Sequence, residues 1–307
     1  MTTLERLEAP SAAIAPAQAD ATQMAAGPPT ARPPGPRRPM TVPEAIGLGL
    51  TLLAALVLGF VAFLYYLSGV QEARAQTTLY ATLRGELANA VAPLGSPKPG
   101  SPVAVLDIPG IGMHHVVVEG TSSENLTLGP GHLRDGPLPG QAGVSAIYGR
   151  RATFGAPFAR LPQLHQGDKI TVTTGQGVAS YTVQAFGDSK NRIRIDPAPN
   201  QLILLTSDSR YIPSHYFEVD ADLTSAARPD PGGRPVTSAA EAPLSRDDGA
   251  LVLTMLWGLA LALVSIAGAI AANRWSRWPA YLSVVPVLLA VVWNLYQGLS
   301  ALLPNLY

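Results

Sequence analysis

Residues 143–158, GVSAIYGRRATFGAPF, and residues 202–211, LILLTSDSRY, decide how this chain is read. Each opens on a short apolar run, 144–148 and 202–206, and each breaks straight afterwards into a polar, turn-forming stretch. Short apolar runs bounded by Gly, Pro, Asp and Ser read as buried strands. Working outward, further runs of this type lie at 103–108, 114–119, 169–174, 180–185 and 216–220, again separated by Gly/Pro/Asp turns. That spacing predicts an all-β barrel or sandwich. Brief helical turns are expected at 122–128, where Ser122 is placed to cap, and at 157–164.

Outside this region the composition changes. Three uncharged stretches, 45–71, 249–273 and 278–307, each exceed the ~20 residues that a helix needs to cross a hydrocarbon core. The first is expected to be an uncleaved anchor, because a signal core is shorter and lies near the start of a chain. Arg32, Arg37 and Arg38 precede the first stretch, and Arg274 and Arg277 separate the second from the third. Positive residues mark the cytoplasmic side. The tail is therefore expected inside, residues 72–248 outside, and Tyr307 outside. The organisation predicted is a disordered cytoplasmic Pro/Ala-rich tail at 1–43, a transmembrane helix at 44–71, and a juxtamembrane helix and linker at 72–102. A β-domain at 103–223 follows, then a Pro/Gly/Ala linker at 224–248 and transmembrane helices at 249–273 and 278–303. Leu79, Leu83, Leu87 and Val91 recur every four residues and form one helical stripe, read as a juxtamembrane stalk. Asn294 and Gln297 share a helical face, placed either to bond another helix or to reach the outer interface.

The charge balance excludes some functions. Lys and Arg number 21 and Asp and Glu number 21, so no basic surface for nucleic acid is expected. The chain has no cysteine, which rules out disulfides and Cys-based metal sites. Only Lys98, Lys169 and Lys190 are lysines, a bias that suggests a GC-rich genome.

Several motifs, in order, carry a family resemblance. They are Leu106-Asp107-Ile108-Pro109-Gly110-Ile111, Val118-Glu119-Gly120-Thr121, Gly129-Pro130-Gly131-His132, Pro137-Leu138-Pro139-Gly140, Gly155-Ala156-Pro157-Phe158 and Gly167-Asp168-Lys169-Ile170. With the two opening segments they resemble the sortases, the Cys transpeptidases of Gram-positive cell surfaces, in their class E/F-like actinobacterial form. The resemblance implies an eight-stranded, extracytoplasmic sortase β-barrel on a multi-pass cell-membrane protein. In that family the first segment reads A-G-H-R and the second L-x-T-C, supplying His and Cys, and an Arg stabilises the oxyanion. The resemblance puts Arg150 at the His position, Ser207 at the Cys position, and Tyr216 or nearby Arg210 at the Arg position.

Arginine stays protonated at physiological pH and cannot act as a general base, and a serine without a base is a poor nucleophile. The expectation is therefore a catalytically inactive pseudosortase, a binding or accessory component in cell-surface protein anchoring. Asp208, His215 and Glu218 are read as part of its possible cleft. The partners implied are a sorting-signal-like peptide, another cell-envelope protein or an active sortase, and no cofactor or metal is expected. The acidic Glu119, Glu124 and Asp188 are read as solvated, and His132 as structural, bonding a loop carbonyl. One alternative is a transpeptidase or hydrolase running on Ser207 with His215 and Asp208, although strand alternation turns Asp208 away from Ser207. Another is a structural membrane subunit. Arg150 is expected to lie in the cleft beside Ser207, paired with Glu218 or with the backbone of 188–200, because an unpaired buried guanidinium is costly.

A reporter fused after Tyr307 is expected to be active outside the cell; a cytoplasmic signal would break the three-span arrangement.

Overall fold

The computed structural model of the chain describes residues 41–188, 200–211, 213–274 and 277–307, with 277–281 as backbone. The readings for the 1–40 tail with Arg32, Arg37 and Arg38, and for 189–199 beside Arg150, lie outside the described residues. Residues 1–51 and 52–307 are separate compact units. Of the first, the described part opens helix α1, and the packing below concerns the second.

The β-domain is built from β1 (Pro102–Ile108), β2 (Met113–Glu119), β3 (Gly131–His132), β4 (Val144–Tyr148), β5 (Lys169–Thr174), β6 (Gly177–Asp188), β7 (Gln201–Ser207) and β8 (Tyr216–Leu223). They close into a barrel in the order β1-β2-β3-β4-β7-β8-β6-β5. The pairs β2–β3 and β4–β7 are parallel. β3 has only two residues, too short to leave a periodic signal, and it escaped the strand reading. The turn at 122–128 is a 3-10 helix over Asn125–Thr127, with the Ser122 hydroxyl accepting from the Asn125 amide at 3.3 Å.

Alternation along the strands sends Leu106, Ile108, Ile147, Val172, Leu204 and Val219 into one interior core, joined by Phe158 from the loop after β4. β7 differs from its neighbours because every residue in it is buried. Leu202 and Leu204 face the barrel interior, while Ile203 and Leu205 join a second, outer cluster with Tyr148, Leu126 and Leu306. A strand apolar on both faces must be covered on both, as in buried parallel sheets.

The long helices are α1 (Val42–Ala62), α2 (Ser68–Ala88), α3 (Ala250–Arg274) and α4 (Arg277–Ala301). α1 and α2 join through a π-helical turn at Phe63–Leu67 into one helix over Val42–Ala88. That helix, α3 and the Leu282–Ala301 part of α4 are long and apolar enough to cross a membrane. The third uncharged run does not stay helical to its end, because residues 302–307 leave α4 after Ala301.

Two segments read from the sequence as stalk and linker also make contacts with the barrel. The leucine stripe is not a free stalk: Leu83 is fully buried, and with Leu79 and Leu87 it packs on Val105 of β1 and Val116 of β2. Gln76 of α2 acts there as a substitute strand, donating to the carbonyls of Val116 (3.0 Å) and Leu128 (2.8 Å) and accepting from the Val116 amide (2.7 Å). It satisfies a stretch of β2 that the two-residue β3 does not reach. Nor is 224–248 a bare tether. Its 3-10 turn Ala239–Glu241 lies on the barrel, with the Thr121 hydroxyl donating to the Glu241 carbonyl at 2.8 Å.

β8 carries one buried acid with an unfavourable environment. Burial, reinforced by the neighbouring Asp222 charge, pushes Asp220 up to about 6. Gln201 donates to one of its oxygens at 3.3 Å, and the other has no partner among the described residues. A carboxyl whose folded-state pKa is raised binds its proton more tightly when folded, so its penalty appears as pH rises from about 4 to about 6. Asp220→Asn is therefore expected to stabilise the protein above pH 6, with the gain fading towards pH 4; urea unfolding across that range checks it, and a pH-independent gain would refute it.

Candidate functional site

The site lies where β4 and β7 end side by side. The parallel register pairs Tyr148 with Leu205. Beyond it, the Gly149 amide donates to the Leu205 carbonyl at 2.9 Å and the Thr206 hydroxyl to the Gly149 carbonyl at 2.9 Å. Arg150 and Ser207 therefore follow at the exits of adjacent strands. Gly149 is required here because a Cβ would run into the Phe158 ring.

Both residues are fully buried. The Arg150 side chain turns under the 122–128 turn. Its Nε donates to the Leu126 carbonyl (3.2 Å), Nη1 to the Thr153 hydroxyl (3.3 Å), and Nη2 to the carbonyl (2.8 Å) and hydroxyl (2.9 Å) of Ser123. The guanidinium also lies 4.8 Å from the centre of the Phe154 ring, a cation–π distance. No carboxylate is within ion-pair distance of it among the described residues. Desolvation pulls Arg150 down to about 9, which still leaves it charged at neutral pH. Glu218, expected as its partner, is not among these contacts. Five donors in a fork suit the clustered carbonyls of a tight turn, and Glu218 faces elsewhere.

Ser207 uses its hydroxyl to donate to the Ser209 carbonyl at 2.9 Å. Its own carbonyl accepts from Arg151 Nη1 at 2.7 Å. Arg151 was overlooked in the sequence, where the adjacent Arg150 took the family position. Its only signal was the Arg-Arg doublet. Burial lowers the Arg151 pKa, Asp208 opposes that, and Arg210 adds to it.

Across β8, Tyr216 is directly opposite Ser207, and Glu218 opposite Leu205. Arg210 is exposed on the turn between the strands. Asp208 and His215 meet, but not around Ser207. Asp208 Oδ1 accepts from the backbone amides of Ser214 (3.2 Å) and His215 (3.1 Å), and its Oδ2 lies 3.2 Å from the Ser214 hydroxyl and 3.4 Å from His215 Nδ1. Ser214 Oγ is also 2.9 Å from that same ring nitrogen. A relay needs the acid on one ring nitrogen and the nucleophile on the other, so this cluster closes a turn and does not form a triad. Desolvation works to raise the Asp208 pKa, but the hydrogen bonds from His215 and Ser214 and the His215 charge outweigh it and hold the carboxyl below its usual value.

Beside these residues the outer face of the sheet keeps an open groove of about 340 Å³, lined by Tyr148, Leu205, Tyr216, Glu218, Asp135 and Pro243. His132 is structural, its Nδ1 3.0 Å from Glu119 and its Nε2 2.9 Å from the Pro137 carbonyl. Glu119 is thus fully buried against His132, not solvated as read from the sequence. Asn294 bonds its own helix at Ala290, and Gln297 approaches Gln71 of α2 at 3.5 Å. Both line a second cavity of about 630 Å³.

The closed barrel, the paired strand exits and the groove beside them define a membrane-associated β-barrel domain of the sortase type. The family model "Sortase domain" matches residues 106–214. Sortase D of Bacillus subtilis is 31% identical over 114 residues, 36% of this chain and 56% of the relative. Sortase SrtE1 of Streptomyces coelicolor is 29% identical over 181 residues, 56% of this chain and 51% of the relative. The structure of sortase E from Streptomyces avermitilis is 31% identical, covering 48% of this chain and 100% of that one, with a TM-score of 0.38. The chain therefore carries a sortase domain at residues 106–214. It spans about half the length of the curated relatives it matches.

Arg150→Met is expected to destabilise the protein by about 1–3 kcal/mol, the cost of a stranded buried carbonyl. Arg150→Lys should cost at least as much, because it keeps the buried charge without the fork that reaches both Ser123 and Leu126. Thermal unfolding tests this; a lysine variant as stable as the native protein would refute it.

Proposed function

We propose that this protein is a multi-pass, membrane-anchored pseudosortase. Its barrel lies outside the cell, and its groove binds a sorting-signal-like peptide or another cell-envelope protein without cleaving it. Arg150 and Ser207 stand on this reading at the family's His and Cys positions, with Tyr216 at the Arg position. The observation that carries it is the state of Arg150. A protonated guanidinium, fully buried and bonded to Ser123, Leu126 and Thr153, has no lone pair with which to activate a nucleophile. The Ser207 hydroxyl is committed to the Ser209 carbonyl, and His215 is held by Asp208 and Ser214. Nucleophilic serine chemistry needs a base at the hydroxyl, and here that partner is a carbonyl.

A purely structural membrane subunit is the competing reading. The open groove favours a binding role, because its apolar floor is flanked by two tyrosines and two acidic side chains, a lining suited to an extended peptide. Its placement in cell-surface protein anchoring rests on the sortase domain.

The test is a full-length preparation in detergent incubated with a fluorogenic sorting-signal peptide and an amine acceptor. No cleavage or transpeptidation above buffer is expected. Robust turnover that disappears in Ser207→Ala would overturn the reading in favour of a serine enzyme.

A further inference from the structure

The segment that leaves α4 does not end in solvent. After a turn at Pro304, it lies on the outer face of the barrel next to the site just described. The Asn305 amide donates to the Ser245 carbonyl at 2.9 Å, and its side-chain nitrogen donates to the carbonyls of Thr121 (2.9 Å) and Ala242 (3.0 Å). Leu306 is fully buried in the outer cluster with Leu126, Tyr148, Ile203 and Leu205. Its carbonyl accepts from the Arg151 amide at 3.2 Å, and the Tyr307 backbone oxygen accepts from the Thr153 hydroxyl at 2.7 Å. Segment 304–307 thus lies on the loop that carries Arg150, Arg151 and Thr153.

The floor under Leu306 and the floor of the open groove are the same residues. Tyr148, Ile203 and Leu205 belong to both, and Leu133, Val144 and Tyr216 border both. The groove is therefore longer than its open part. One stretch is open, and the stretch nearest the site is filled by this chain.

We propose that residues 304–307 are a built-in peptide ligand of the barrel, seated in a socket that reads an Asn-Leu pair. The amide-bearing side chain satisfies two loop carbonyls, and the leucine fills the apolar floor. A peptide of the same chemistry from another molecule can run along the groove to Ser207 only when 304–307 has left. This rests on the reading above in one respect, that the groove takes a peptide. The seated segment resembles a bound ligand more than a piece of core. It forms no strand ladder, most of its polar bonds go to loop backbones, and the fully buried Asn305 Oδ1 has no partner among the described residues. It also connects directly to α4, so a movement of that helix along its axis pulls on the socket.

The experiment uses an acetylated, fluorescein-labelled peptide with the sequence of 302–307 (LLPNLY), read by anisotropy against the full chain in detergent and against the chain lacking 302–307. The shortened chain is expected to bind the peptide at least ten-fold more tightly than the full chain, and a peptide with Asn→Ala and Leu→Asp at least ten-fold more weakly. Equal binding by the two chains, or no binding by a shortened chain that still unfolds cooperatively, overturns the proposal. Should the shortened chain fail to fold, the full-length double variant Asn305→Ala, Leu306→Ala decides. Tighter peptide binding and faster hydrogen exchange at the Arg151 amide are expected, with the β1–β5 amides unchanged; no change in either overturns the proposal. No step of this test reads turnover, so it can fail while the cleavage assay agrees with a pseudosortase, and the reverse.

Discussion

Strand β7 carries leucine and isoleucine on both of its faces, and a closed barrel takes only one set inside. Leu202 and Leu204 fill the interior, which leaves Ile203 and Leu205 to be covered from outside. Burying a side chain of this size fully is worth about 1.5–3 kcal/mol. Three separate segments supply the cover: Leu126 from the 122–128 turn, Leu244 from the stretch before α3, and Leu306 after α4. Segments that composition marks as linker or helix end are therefore ordered by one strand.

The same cover decides the character of the site. The 122–128 turn that lays Leu126 on β7 also brings the carbonyls of Ser123 and Leu126 to Arg150. Taking a guanidinium out of water costs several kcal/mol, and here carbonyl and hydroxyl dipoles offset it without a carboxylate. Charge-assisted bonds of this kind contribute about 1.5–3 kcal/mol each. The arginine is thus a structural pin between a turn and a strand exit, and its chemistry is the opposite of a general base. Arg151 extends the pin to the Ser207 carbonyl.

The helices before and after the β-domain are both joined to the barrel by specific bonds. α2 completes β2 through Gln76 and buries Leu83 against β1 and β2. Residues after α4 reach the opposite side of the sheet order, at β4 and β7. Phe63, Phe154 and Tyr296 pack together at the junction, and Tyr65 and Tyr307 share a 2.9 Å hydroxyl contact. The helices therefore hold the barrel at two places, β1 and β2 through α2, and β4 and β7 through the residues after α4.

Much of this was legible in residue order. Strands show as period-two apolar runs, long uncharged stretches show as helices, and the chain's lack of cysteine with arginine at 150 and serine at 207 removes the means for thiol chemistry whatever the fold does. These are properties of a residue and its near neighbours. The partners of those residues were not legible, because they are set by contacts between positions far apart in the chain. Arg150 depends on Ser123, Ser207 on Arg151, the leucine stripe of α2 on Val105 and Val116, and Asn305 on Thr121. Glu218 looked a natural partner for Arg150 by charge alone, but the register sets it across from Leu205. Local sequence determined the elements and the absence of a thiol. Only the closure of the barrel, which forces the outer face of β7 to find a cover, decided which distant segments would meet over the groove.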